Sequence, residues 1–403
     1  MNVISLRVVL GNPAIRTTGM IAAGGLAFMA ANLVYAKLLV PGDFGRLVLL
    51  QTIASVTMGL SALGFDTLIG RKDISRPHKT IHVLLALCTV VGLLLAVFSV
   101  TVFDVDEVMA ALVLTASIGG AATRLYSSIE QSQQRFARAM AIFQLPQFLF
   151  LAASLGHLFF RSPSWEEAGI AYASCYLFSL ALGFWLTHQC ALEPQGQEDP
   201  PLSVQVSRGL AIVTATGSLL VLNQLEKLIA GETLSMVELG ALGLASTLVA
   251  SPFKLLAAGV GYTLLPRLKS TPDESDRRKL LYRELQLSAI VGAIGAIILI
   301  AVVPAAVDLI FGDKYRVSYA LVLVLVLLGI VRLNSGVINA TVNALGDTRT
   351  LQIYTLIGWV SVAIAALAAY ALADHGVVGV VVGVTVGWVV RIASAAYLVR
   401  GEL

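Results

Sequence analysis

Seven of the ionisable side chains within the otherwise apolar stretches of this 403-residue chain stand where they could do chemistry. Four are basic: Arg124, Lys254, Arg332 and Arg391. Three are acidic: Asp66 and Asp308, near the ends of their stretches, and Glu226. A charge near the centre of a bilayer costs about 2.5–3.5 kcal/mol on insertion scales, so such a residue usually faces a cavity or a partner. Guanidinium groups grip phosphate oxygens through paired N–H···O bonds, so a mainly basic set suits an anionic, phosphate-bearing substrate. On this reading Arg124, Arg332, Lys254 and Arg391 are candidate substrate-binding residues, with Asn32 and Asn223 as polar neighbours. Glu226, Lys227 and Asp66 are candidates for coupling or gating.

Each residue has a plainer reading. Arg124 and Arg391 could extend to lipid headgroups, and Asp66 could simply neutralise Arg71. Lys254 follows Ser251-Pro252, where a kinked helix would offer it free carbonyls. Glu226 beside Lys227 could be half of a structural ion pair. Neither Arg124 nor Arg332 has an acidic residue one turn away on its own helix.

Other chemistry finds no support. There is no glycine loop with its lysine to cradle a nucleotide phosphate, so ATP hydrolysis is not expected. The five histidines, His78, His82, His157, His188 and His375, are scattered, and none pairs with an acid at metal-ligand spacing. Cys88, Cys175 and Cys190 suit neither a metal site nor a disulfide framework. No cofactor, metal or enzymatic activity is expected.

The elements that must position these groups are membrane spans. Hydrophobic residues make up 57% of the chain and charged ones 13%, about half the share of a soluble domain. Twelve apolar stretches approach the roughly 20 residues that cross a bilayer as a helix. They cover about 17–39, 47–69, 80–103, 108–130, 140–160, 168–188, 208–230, 237–264, 285–309, 318–345, 350–373 and 377–399. Long unbroken stretches exclude a barrel, so the fold class is an all-α polytopic membrane protein. The net charge of +3 gives no reason to expect nucleic acid as a partner.

Seventeen loop or span-end Lys and Arg gather on one side of these spans and six on the other. The excess marks the cytoplasmic side, which places both termini there. Met1 to Arg16 lacks a small-residue cleavage pattern, so no removable signal peptide is expected. The polar, proline-rich connection from Cys190 to Ser207 divides the chain into six-span lobes, 1–189 and 208–403, with a cytoplasmic linker at 190–207. Ser270 to Arg283 is charged enough for a short amphipathic helix on the same side.

The two halves repeat. Lys37 closes the first span as Lys227 closes the seventh, and Gly45 and Gly240 open the next spans. Those spans end at Arg71 and Arg267, and the fourth span of each half carries one arginine, Arg124 or Arg332. With an even number of spans per half, the copies share one orientation about a pseudo-twofold axis along the membrane normal, leaving a cavity between lobes.

The same residues carry a resemblance. Leu38-Leu39-Val40-Pro41-Gly42-Asp43-Phe44-Gly45, running to Leu63-Gly64-Phe65-Asp66, is similar to the opening of polysaccharide (O-antigen type) flippases. These form a branch of the multidrug/oligosaccharidyl-lipid/polysaccharide exporter superfamily. Gln134-Arg135-Phe136, Glu226-Lys227, Glu238-Leu239-Gly240, Leu264-Leu265-Pro266-Arg267, Leu309 to Tyr315 and Ala344 to Arg349 fit in order. Glu226 departs from the pattern, where Asp is expected, but keeps the charge.

The resemblance implies a flippase of the bacterial cytoplasmic membrane that moves a polyprenyl-pyrophosphate-linked oligosaccharide by alternating access. Its partners would be that anionic lipid-linked substrate, membrane lipid and a polysaccharide polymerase. Two alternatives compete. An ion-coupled multidrug antiporter would favour acidic cavity residues. A non-transporting scaffold of a polysaccharide assembly complex would tolerate loss of the basic ones.

Overall fold

The computed structural model describes residues 13–74, 77–160, 162–188, 199–271 and 273–400. Much of the expected linker, 190–198, lies outside them, as do Cys190 and the arginines Arg7, Arg76 and Arg161. Among the described residues the regular structure is helical throughout, and twelve helices are long and apolar enough to cross a membrane. The chain is thus a multi-pass membrane protein.

The first eight helices are α1 (Pro13–Leu38), α2 (Pro41–Ser61), α3 (Phe65–Gly70), α4 (Pro77–Phe103), α5 (Glu107–Ser132), α6 (Phe136–Phe160), α7 (Trp165–His188) and α8 (Leu202–Leu222). Six more follow: α9 (Leu225–Thr233), α10 (Met236–Ser270), α11 (Glu274–Phe311), α12 (Tyr319–Leu345), α13 (Thr348–Ala371) and α14 (Gly376–Val399). Their starts follow local chemistry. Proline opens α1, α2 and α4, where its missing N–H costs no helical bond. Asp106 caps α5 by accepting from the Met109 amide at 2.7 Å, and Ser235 forms a reciprocal capping box with Glu238 at the start of α10. At the start of α13 the Thr350 amide donates to Asp347 and holds its carboxyl below the usual carboxylate range.

Three boundaries differ from the expected spans. The second is broken at residues 62–64, where Leu63 and Gly64 take positive φ of 50° and 71°, leaving α3 as a separate short helix. Gly64 is needed there twice, for its backbone angle and because a Cβ would lie 2.6 Å from the Gly209 carbonyl of α8. The seventh span is broken at Asn223–Gln224, between α8 and α9. The polar stretch after Ser270 is no separate amphipathic helix. Its residues from Glu274 onward are the first turns of the 38-residue α11, pinned by Arg267 Nη1 to Glu284 Oε1 at 2.6 Å.

The chain divides into two compact units, 1–38 with 50–217 and 39–49 with 218–403. In the first, Phe65, Leu68, Ile69, Leu125, Tyr126, Ile129 and Ile142 form a buried cluster. Glycines set the helix spacing: a Cβ on Gly119 would press on Tyr176, and one on Gly183 on Tyr126. Lipid tails are as apolar as leucine, so close packing of this kind, and not exclusion from water, holds the helices together. In the second unit, Gly45 of α2 meets the start of α10 so closely that a Cβ would strike the Met236 carbonyl. Gly240 stands in the same relation to the Pro41 carbonyl. The missing side chain of Gly329 likewise admits the Phe253 ring between α12 and α10.

Candidate functional site

The break between α8 and α9 is what builds a cluster of charges inside the second unit. Within a helix the Asn223 carbonyl would accept from the Lys227 amide. That amide instead donates to the Gln224 carbonyl at 3.0 Å. A freed carbonyl at membrane depth needs another donor. It finds two: Lys254 Nζ of α10 at 3.3 Å and Arg332 Nη2 of α12 at 3.4 Å.

Arg332 then turns both Nη atoms on Glu226 of α9. Nη2 donates to Oε2 at 2.7 Å and Nη1 to Oε1 at 3.2 Å. Both residues are buried, at 2% and 0% exposure, and the guanidinium carbon sits 5.4 Å from the Trp388 ring centroid of α14. Two-point pairing of this kind is the strong form of a charge-assisted bond, and the aromatic face adds to it. Lys227 and Lys254 are half-buried and lie within electrostatic reach of Glu226 and Arg332. Of the sequence candidates, the structure thus joins Asn223, Glu226, Lys227, Lys254 and Arg332 in one cluster. What Asn223 brings to the bonding is its main-chain carbonyl.

Arg391 lies elsewhere in the second unit. It is 2% exposed, so it does not reach outward to headgroups. Its Nη1 donates to Ser218 Oγ at 3.0 Å, and its guanidinium carbon lies 4.8 Å from the Tyr354 ring centroid. Gly358 makes room for it, because a Cβ there would come 2.6 Å from Arg391 Nη1. Among the described residues no carboxylate is in salt-bridge contact with Arg391.

In the first unit Arg124 Nη1 stands 3.8 Å from Asp66 Oδ2, both side chains about a quarter exposed. The other oxygen of Asp66 accepts from the Thr67 amide at 2.8 Å. Arg124, and not Arg71, is therefore the partner Asp66 meets. Asn32 is buried and spends its amide on the Phe28 carbonyl of its own helix at 2.9 Å.

One residue escapes sequence reasoning altogether. Glu130, near the end of α5, is fully buried, with neither carboxylate oxygen hydrogen-bonded, and Arg135 Nη1 is 3.9 Å away. An acid at the end of an apolar stretch reads as interfacial, and no local signal marks it as covered.

The family model for polysaccharide biosynthesis protein matches residues 34–320. The chain belongs to that family. The matched stretch holds Asp66, Arg124, Glu226, Lys227 and Lys254, while Arg332 and Arg391 follow it. No curated protein matches the chain by sequence.

Solved structures share the fold at low identity. One is a multidrug resistance MATE family transporter of the MOP superfamily in its inward-facing conformation, at 13% identity over 93% of either chain and a TM-score of 0.67. The lipid II flippase MurJ, in an inward closed conformation, matches at 12% identity over 96% of this chain and 87% of that one, TM-score 0.64. A Vibrio cholerae MATE transporter matches at 16% identity over 98% of either chain, TM-score 0.60. This polysaccharide biosynthesis family member therefore has the all-helical fold of these transporters.

Proposed function

We propose that this protein is a flippase of the bacterial cytoplasmic membrane, with both termini inside, which carries a polyprenyl-pyrophosphate-linked oligosaccharide across by alternating access. The observation that carries the reading is the sign of the buried charge. Three basic side chains, Lys227, Lys254 and Arg332, gather around the carboxylate of Glu226, and Arg391 is buried with no carboxylate in salt-bridge contact among the described residues. Positive charge in low dielectric attracts an anion strongly and repels the organic cations that an antiporter of drugs would carry. Membership of a polysaccharide biosynthesis family supports a glycan as cargo, and a pyrophosphate-linked glycan supplies the anion. Within the second unit the half-buried Lys254 is the first contact for the pyrophosphate, and Arg124 is the corresponding candidate of the first unit. Arg332 shares the Asn223 carbonyl with Lys254, and Arg391 holds a further cationic position. A polysaccharide polymerase is the expected downstream partner.

The test is reconstitution. Purified protein in vesicles is given a fluorescent polyprenyl-pyrophosphate-linked oligosaccharide in the inner leaflet, and a membrane-impermeant quencher reports its arrival outside. Transfer by the wild-type protein that is lost in Arg124→Ala is the expected result. Efflux of an organic cation without movement of the glycolipid would make the protein an antiporter. Normal glycan assembly in cells carrying charge-removed variants would make it a scaffold.

A further inference from the structure

The Glu226 cluster has a feature that substrate attraction by itself does not explain: its strongest cation is already occupied. Arg332 donates through both Nη atoms to Glu226 and is 2% exposed, whereas Lys227 and Lys254 are half-buried and, among the described residues, have no carboxylate in salt-bridge contact. The Asn223 carbonyl is shared, since Lys254 Nζ and Arg332 Nη2 both donate to it. When all four side chains are ionised, the three cations exceed the one carboxylate by two positive charges. A pyrophosphate diester carries two negative charges. The imbalance therefore matches the proposed ligand, while the pairing withholds the best phosphate donor from it.

The geometry points to Glu226 as a built-in competitor of the substrate pyrophosphate. It occupies Arg332 while no substrate is bound, yields it when the pyrophosphate settles on Lys227 and Lys254, and reclaims it to drive the pyrophosphate off. This rests on the flippase reading. A carboxylate suits the role because it offers the same two-oxygen face as one phosphate, with half the charge of the whole pyrophosphate diester. It is tethered, so it returns at high effective concentration. Without it, three cations in a dry site would hold the substrate and slow its release, which is the way ground-state binding limits turnover.

The decisive measurement is binding of a short-chain polyprenyl pyrophosphate carrying one sugar to the full-length protein in nanodiscs. The monophosphate-linked analogue serves as comparison. In Glu226→Gln the side chain keeps its size and can still accept one bond from Arg332, but no longer competes as an anion. We expect that variant to bind the pyrophosphate probe about tenfold or more tightly than wild type, the size of one charge-assisted hydrogen bond. Its transport in vesicles should be slower. Glu226→Asp, which keeps the charge, should stay near wild type in both.

Wild-type preference for the pyrophosphate probe with unchanged or weaker binding in folded Glu226→Gln overturns the competitor role and leaves the flippase reading intact. Failure of wild type to prefer the pyrophosphate over the monophosphate overturns the reading itself. If Glu226→Gln does not fold, Trp388 decides within the wild-type protein, because Arg332 lies against its ring. Saturation with the pyrophosphate probe should shift the fluorescence component that Trp388→Phe removes, and no shift on saturation refutes the exchange.

Discussion

Arg332 Nη2 lies 2.7 Å from Glu226 Oε2, a pair of buried charges 106 residues apart that ties α12 to α9 beside the break after α8. Each is the other's counter-ion, and breaking a buried pair from one side strands a charge. Replacing Arg332 by Ala should therefore cost about 3–5 kcal/mol of stability. Thermal unfolding in detergent would record it as a large fall in Tm. Glu226→Ala combined with Arg332→Ala should recover part of the loss, since no lone charge is then left. A double variant as unstable as the sum of the singles would mean that the two residues do not act as a pair.

Arg124 and Asp66 make the opposite case. Their side chains are 28% and 23% exposed and 3.8 Å apart, so water screens them. Asp66→Asn should change stability by less than about 1 kcal/mol. Arg124→Ala should likewise fold and insert normally while glycolipid transfer is lost, and Arg124→Lys should restore only part of it, keeping the charge without the two-point geometry. Undiminished transfer in Arg124→Ala would remove this residue from the substrate path.

The seat of Arg391 depends on an absent side chain. Gly358→Ala would press a carbon on Ser218 Oγ and bring it 2.6 Å from Arg391 Nη1, so the hydrogen bond between the two cannot keep its place. Loss of about 1–3 kcal/mol is expected from overpacking. Comparison with Arg391→Met separates the causes: if the clash with the guanidinium is responsible, Gly358→Ala should cost less in that background than in wild type.

The capping box at Ser235 offers a local control. Ser235→Ala removes the acceptor for the Glu238 amide at the start of α10 and should cost about 1 kcal/mol with transport unchanged. A transport defect without loss of stability would show that this helix end does more than begin α10.

Orientation is open to direct test. The excess of basic residues on one side predicts a cytoplasmic position for the segment around Gln195. A cysteine or epitope inserted there should resist impermeant reagents in intact cells and react after permeabilisation. Labelling in intact cells would reverse the assignment.

The amino-acid order alone settled the class of this protein, the existence of all twelve spans and which basic residues stand deep within them. It did so because crossing a bilayer is a local requirement, met by about 20 consecutive residues and visible in any window of that length. Its family likeness was legible for a similar reason, in short ordered motifs such as Pro41 to Gly45 and Glu226-Lys227. The tertiary structure decided what each charge does. Arg332 meets Glu226, Arg124 meets Asp66, Arg391 meets Ser218 and the Tyr354 ring, and Glu130 is sealed from solvent. The helix breaks at residues 62–64 and after Leu222 also belong to it. No proline marks either, and only packing, as of Gly64 on Gly209, or donors from other helices, as at the Asn223 carbonyl, reveals where the backbone departs from helix. Span length is set along the chain, whereas a counter-ion is set by which helix faces which, and that register is written in side-chain packing between distant segments.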